Sequence, residues 1–327
     1  MVVTRLRWAP VLASLIIAAV TPGSKKVYAV SAPGGPERPR ILGISHVALR
    51  VSDPTRSRVF YERFLGCPTV QAASGLEPTT LRVAVGERQY VELRAGLRPD
   101  EDRLDHVALE TDDVEAMRRF LAARGVDVPG VVVEASGSRC LMVKDPEGRS
   151  IEFVQPAPEA GPRSALSRPA GVPGPVAHRL RHAGILAGDL SAADHFYHDV
   201  LGLTETWRGS RSGTELSWVN LRVPDGQDYI ELMLYGALPP PTARGSQHHI
   251  CLEVSDIEEA RVRLLERRDV GAYAGPLEIR VGTNRKRQLN LFDPDGTRIE
   301  LMEPGTVDGQ SVPSSTAPPP HPTGLGS

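Results

Sequence analysis

The chain has 327 residues, 40% apolar and 24% charged, with 38 Lys+Arg against 40 Asp+Glu and a net charge of −2. That is enough chain for two ordinary domains, and so even a balance offers no basic excess for a phosphate backbone, which excludes nucleic acid as an expected partner. Three cysteines without a C-x-x-C pair exclude a disulfide framework and a thiolate zinc site, so any metal must be held by nitrogen and oxygen.

At the start of the chain, Arg5 and Arg7 precede an apolar run from Trp8 to Val20, and Val27-Tyr28-Ala29 supplies a small-residue cleavage site. Residues 1–30 therefore read as a secretory signal peptide, which predicts an exported protein, periplasmic or secreted, with no membrane span in its mature form. Residues 31–40 and 304–327 are rich in Pro, Gly and Ser and are expected to be disordered. A similar stretch, 156–177, reads as a linker and leaves two domains of near-equal size, 41–155 and 178–303.

The first ordered segment, His46-Val47-Ala48-Leu49-Arg50-Val51-Ser52-Asp53, alternates as a strand does. Asp53 then N-caps a helix carried by Val59, Phe60 and Phe64 and ended by Gly66, and short strands follow to residue 94. The second segment begins likewise at Asp105-His106, with Asp113 as cap, Met117, Phe120 and Leu121 as apolar face, and Asp145-Pro146-Glu147-Gly148 turning into Ile151-Glu152. The pattern returns from His182, with Asp189, Phe196 and Gly202, and from His249, with Asp256 and Asp293-Pro294-Asp295-Gly296 before Ile299-Glu300. The chain is thus four modules, 41–94, 103–155, 178–234 and 245–303, each βαβββ, and the fold class is α+β.

Alternation places Val47, Leu49 and Val51 against the helix and turns His46 and Arg50 to the other face of the sheet. The same reasoning puts Glu92, Arg94, His106 and Glu152 on that face in the first half, and His182, Glu231, His249 and Glu300 in the second. A single strand histidine is more often a satisfied polar group than a ligand, but eight equivalent positions carrying His, Glu, His, Glu twice over argue against that reading. Two imidazoles and two carboxylates suit a divalent Zn, Ni, Co, Mn or Fe ion. Pairing the first module with the fourth would exchange partners but keep two histidines and two glutamates per ion; the long linker favours consecutive pairing. Cys67, Cys140 and Cys251 stand where an aliphatic residue would pack, and His195 and His198 read as helix-surface residues. His248 points away from the face that carries His249. The Arg285-Lys286-Arg287 run reads as a solvated turn, with an anionic substrate group as the alternative.

The His-Val-Ala-Leu-Arg-Val and Asp-Pro-Asp-Gly-x-x-Ile-Glu-Leu strings, the four modules and the donor spacing resemble the vicinal oxygen chelate superfamily, which includes glyoxalase I, methylmalonyl-CoA epimerase, extradiol dioxygenases and bleomycin-resistance proteins. The resemblance covers about residues 41–303. It implies two cup-shaped, half-open β-barrels with helices outside, each built from two modules around one divalent metal ion, so that a monomer is complete. It also implies a small-molecule substrate chelated through neighbouring oxygens. A glyoxalase I-like lyase or isomerase would move a proton through a metal-chelated enediolate, with Glu152 and Glu300 as the catalytic carboxylates and Arg50 and Arg94 binding substrate. Leu186 at the position of Arg50, and Gly96 and Tyr235 where a glyoxalase carries asparagine, depart from glutathione specificity. The alternatives are an Fe(II) extradiol-type ring-cleavage dioxygenase, against which a fourth protein ligand counts, and a non-catalytic binding or resistance protein.

Overall fold

The alternating segments that open the modules become the central strands of two sheets in the computed structural model, which describes residues 35–70, 80–158, 171, 173–245 and 247–321. In the first sheet the order is β2 (Thr69–Val70), β3 (Thr80–Val85), β4 (Gln89–Ala95), β1 (Ile41–Val51), β5 (Leu104–Thr111), β8 (Ser150–Gln155), β7 (Arg139–Lys144) and β6 (Val132–Val133). The second repeats it with β10 (Thr204–Gly209), β11 (Trp218–Arg222), β12 (Tyr229–Leu234), β9 (Arg179–Ala187), β13 (His249–Glu253), β16 (Arg298–Thr306), β15 (Lys286–Phe292) and β14 (Ile279–Val281). The module-opening strands lie antiparallel at the centre, β1 on β5 and β9 on β13, and each has its own module's last strand parallel beside it. Consecutive modules therefore share a sheet, and the first-with-fourth arrangement is excluded.

Each helix starts where an aspartate can cap it. Asp53 accepts from the N–H groups of Thr55 and Arg56 at the head of α1 (Pro54–Arg58), and Asp113 from Ala116 at α2 (Val114–Ala122). Asp189 accepts from Ala192 at α3 (Leu190–Asp194), and Asp256 from Glu258 and Glu259 at α4 (Ile257–Leu265). The helices of the first and third modules do not stop there: they widen into π-helical turns, Val59–Phe64 and His195–Val200, before glycines 66 and 202 reverse the chain at φ near +78° and +77°. The wider turns carry Phe60, Tyr61 and Phe64, and Phe196 and Tyr197, all fully buried against the sheets. Val47, Leu49, Val91, Leu93, Ile151 and Phe153 join the same core from the sheet side, as alternation requires. Among the described residues no helix is long and apolar enough to cross a membrane.

The two halves hold each other by the same contacts made twice. The Asp145 carboxylate in the first half accepts from Tyr197 Oη at 2.9 Å, and Asp293 in the second accepts from Tyr61 Oη at 3.1 Å. Glu147 caps the backbone N–H groups of Gly188 and Asp189, while Asp295 accepts from the N–H and hydroxyl of Ser52. One member of the first pair is balanced by a cation, since Arg149 donates to Asp145 at 2.9 Å; Thr297 stands in the place of Arg149 in the second half. Burial with no such partner raises the Asp293 pKa to about 6. A carboxyl whose folded pKa lies above its unfolded value stabilises the folded chain only while protonated, so this contribution is present below about pH 4 and is lost as pH rises through about 6. Asp293→Asn, which mimics the neutral form, is expected to raise stability at pH 8 by about 1–3 kcal/mol and to leave it nearly unchanged at pH 4, as read from urea unfolding.

Several segments expected to be disordered are docked where they are described. Arg38 reaches Asp225 at 3.1 Å, and the Arg40 N–H donates to Asp112. Strand β16 runs to Thr306, and the following chain crosses the edge of the second sheet, with the Ser315 N–H donating to the Arg208 carbonyl, the Leu216 N–H to the Pro318 carbonyl, and Ala317 packed on the core. The cause is an edge strand, β10, whose free backbone groups the proline-rich tail can satisfy. Of the linker, Gly174 accepts from Arg263 and Arg267. The predicted leader over 1–30 lies outside the described residues, as do 31–34, 159–170, 172 and 322–327.

Candidate metal centres

Register alone brings the donors together. In the first cup Ala48 faces His106 across the β1–β5 pair, His46 faces Ala108, Glu92 lies beside Ala48 on β4, and Glu152 lies beside Ala108 on β8. In the second, Gly184 and Cys251 occupy the two central places, with His249, His182, Glu231 and Glu300 around them. Small central residues leave room for the imidazoles. A Cβ on Gly184 would lie 2.0 Å from Cε1 of His249, so that ring fills the space that Ala48 takes in the first cup.

In the first cup the His46 and His106 Nε2 atoms face each other at 3.0 Å, and Glu152 Oε2 lies 3.3 Å from the first and 3.4 Å from the second. His46 stacks on Tyr90 at 4.3 Å and 14°. His106 Nδ1 lies 2.8 Å from Asp105 Oδ2, which fixes the tautomer that leaves Nε2 free to bind a metal. Burial disfavours a charged His106, yet the hydrogen bonds to Asp105 and Glu152 outweigh it and raise its pKa. Glu92 does not join this group. It is buried between Arg82 and Arg94, each with Nε 2.6 Å from one of its oxygens; burial alone would raise its pKa, but the two guanidiniums hold it low. The structure thus does not bring Glu92, expected as a ligand, to the other three donors. Arg50 and Arg94, the residues expected to meet substrate, pair with Asp105 at 2.6 and 3.0 Å.

In the second cup His182, His249 and Glu300 converge, and Glu231 stands at their edge. His182 and His249 Nε2 lie 2.9 Å apart; Glu231 Oε2 is 3.2 Å from His249 and 3.9 Å from His182, and Glu300 Oε2 is 3.4 Å from His182 and 3.9 Å from His249. His182 stacks on Tyr229 as His46 does on Tyr90. Burial, then repulsion by Glu231, raises the Glu300 pKa to about 7. Burial, then Arg298, pushes the His249 imidazolium far down. His249 Nδ1 faces both the Arg298 guanidinium at 2.7 Å and the Gln247 carbonyl at 3.3 Å; only the carbonyl suits a ring that binds a metal through Nε2. Among the described residues the buried Oδ1 atoms of Asn220 and Asn290 and the Arg298 Nε have no hydrogen-bond partner. A cavity of about 390 Å³ lies beside the cup, lined by Arg298, Asn290, Gln247 and Arg211 and by none of the four donors. A larger one of about 900 Å³, at the junction of the halves beside Asp228 and Gln89, contains none of the eight predicted donors.

These sets fit a divalent ion: in each cup two imidazole nitrogens and a carboxylate oxygen meet at one buried point, and a buried carboxylate there calls for positive charge. His46, His106 and Glu152, and His182, His249 and Glu300, are the two groups whose donor atoms converge. Cys67 packs in the core as expected. Cys140, packed with Ala108 and Val154, and Cys251 are buried too, on the cup side, where they hydrogen-bond Glu152 and Glu300, their thiol pKa values raised mainly by burial. His195 pairs with Asp199 on the helix, and His248 reaches Asp102 of the first half at 3.2 Å, away from the donors. Arg285 and Arg287 are held by Asp308 and Glu303. Sequence reasoning missed Tyr90 and Tyr229, although each stands two residues before its glutamate. It also missed Arg82, for which the signal was its mismatch with Asn220.

The family model of the Glyoxalase/Bleomycin resistance protein/Dioxygenase superfamily matches residues 43–153 and again 179–301. The chain belongs to this superfamily. As a tandem superfamily member it is 31% identical over 136 residues to the mitochondrial methylmalonyl-CoA epimerase of Mus musculus, a match spanning 38% of this chain and 72% of that protein. The Bacillus subtilis protein YwbC, uncharacterized, is 27% identical over 128 residues, 39% of this chain and 99% of that one. Among solved structures, the Mn(II)-bound glyoxalase from Novosphingobium aromaticivorans superposes with a TM-score of 0.61 at 20% identity, covering 86% of this chain and 88% of that chain. The 2,3-dioxygenase LapB from Pseudomonas sp. KL28 gives 0.63 at 16% identity, covering 85% and 98%. Those two likenesses show the tandem fold.

Proposed function

We propose that this superfamily member is a divalent-metal-dependent lyase or isomerase that moves a proton on a small oxygenated carbon compound, and that the second cup is where it does so. The observation that carries the reading is the four-donor set: Glu231 and Glu300 both reach the facing imidazoles of His182 and His249. A bound metal would polarise the substrate oxygens there and so acidify the neighbouring C–H. Glu300, on the last strand, then serves as the base that takes that proton and returns it, while Glu231 and the two histidines hold the site together. Asn290 and Arg298 present unpaired polar atoms beside Glu300 and orient the substrate in the cavity. The buried Tyr229 ring beneath His182 keeps water from that side. The predicted leader makes this the proposal of an exported enzyme.

The test is proton exchange in D₂O by the metal-loaded full-length protein with a 2-oxoaldehyde, a hydroxyketone and an acyl thioester, the last prompted by the epimerase relative. Deuterium is expected to enter at the carbon next to the carbonyl with at least one of them, and a chelator to stop it. A second reading has its own observation. With Glu92 withdrawn, His46, His106 and Glu152 form a two-histidine, one-carboxylate set, the donor pattern of Fe(II) oxygenases. Oxygen consumption with catechols and no deuterium exchange would replace the first reading by this one.

A further inference from the structure

Both cups carry two histidines and two glutamates at matching register, but Glu231 lies 3.2 Å from His249 Nε2 whereas Glu92 is paired with two arginines. The difference lies on the neighbouring strand. Arg82 on β3 is the Cα partner of Glu92, and its Nε donates to Glu92 Oε2 at 2.6 Å. Arg94, two residues on from Glu92, donates to its other oxygen at 2.6 Å. Arg82 is itself fixed by Glu134 Oε1 at 3.4 Å and by the Tyr90 ring, 4.9 Å from its guanidinium carbon. In the second cup the partner of Glu231 is Asn220, and Met233 stands in the place of Arg94. Neither can neutralise a carboxylate, and Glu231 turns to the imidazoles instead.

We propose that Arg82, seconded by Arg94, holds Glu92 out of coordination, so that the first cup takes its metal ion with three side chains and the second with four. Two charge-assisted hydrogen bonds in a buried site occupy both oxygens of Glu92, and releasing it to a metal would strand a buried guanidinium. Arg82 is thus a positioning residue: it sets how many places on the ion remain for ligands from solution. The inference rests on the reading that both cups take a divalent ion, and the two can fail separately.

The experiment is titration of full-length protein with Mn²⁺, followed by calorimetry and by the electron paramagnetic resonance spectrum of the bound ion. Two sites of unequal affinity are expected. Glu231→Gln should weaken the tighter site about tenfold or more, whereas Glu92→Gln should leave both within about twofold. Arg82→Asn with Arg94→Met, which copies the second cup, should tighten the weaker site about tenfold, and adding Glu92→Gln should cancel that gain. The untouched affinity of the second cup reports that these variants remain folded. Weakening of a site by Glu92→Gln alone overturns the proposal, and so does a weaker site indifferent to the double exchange. Should the double exchange not fold, Glu92→Gln in the wild-type background decides by itself. Binding to neither cup overturns the metal reading and the proposal with it.

Discussion

Glu300→Gln is expected to lower turnover by about 10²–10⁴ with the fold intact, and Glu152→Gln to change it by no more than a few-fold. The two carboxylates are equivalents in the repeat, so the contrast separates the cups rather than the residue types. Glu300 stands near a second glutamate and beside Asn290, whose Oδ1 is unpaired among the described residues and which lines the neighbouring cavity. Glu152 stands in a cup whose other charges neutralise one another, Arg82 and Arg94 on Glu92, Arg50 and Arg94 on Asp105. Glutamine keeps the size and removes the basic oxygen, so a collapse of rate with the circular dichroism spectrum unchanged isolates the proton transfer. Equal losses in both variants would place chemistry in both cups.

Asp145→Ala is expected to destabilise the chain by about 3–5 kcal/mol, among the largest effects available outside the core. Asp145 is buried and accepts from Tyr197 and from Arg149, whose own guanidinium is largely buried and also donates to the Leu186 carbonyl across the junction. Removing the carboxylate strands a cation and a phenol together. Asp145→Asn should be milder, since the amide oxygen still accepts from the N–H groups of Glu147 and Arg149 that Asp145 Oδ1 now serves. Urea unfolding of the two variants measures the difference; equal, small losses would show that the junction is not held here.

The fold was legible because its signals are local and repeated. Strand alternation, aspartate caps and the Asp-Pro turns each depend on a few neighbouring residues, and four copies of the pattern fixed the modules. Six of the eight donor positions converge, and Glu231 reaches the imidazoles of its cup, for the same reason: in a parallel or antiparallel ladder, face follows from parity. Glu92 is the exception because parity gives a face and says nothing of what stands across from it. Its fate is decided by Arg82, ten residues earlier in the chain and adjacent only once β3 and β4 pair. Cys251 is buried as expected, and parity also gives its face, since it lies two residues from His249. The docking of the tail on β10 depends on an edge strand lacking a partner, which no pattern within the tail reveals.

The reciprocal junction, Asp145 to Tyr197 and Asp293 to Tyr61, has the self-complementary form of a two-fold dimer contact, yet both copies lie on one polypeptide. Two identical subunits must carry identical hollows, because one gene writes both. Fusion lifts that constraint: a change such as arginine against asparagine beside a glutamate alters one hollow and spares its twin. A single translated molecule can in this way own a pair of unlike metal pockets in fixed one-to-one proportion.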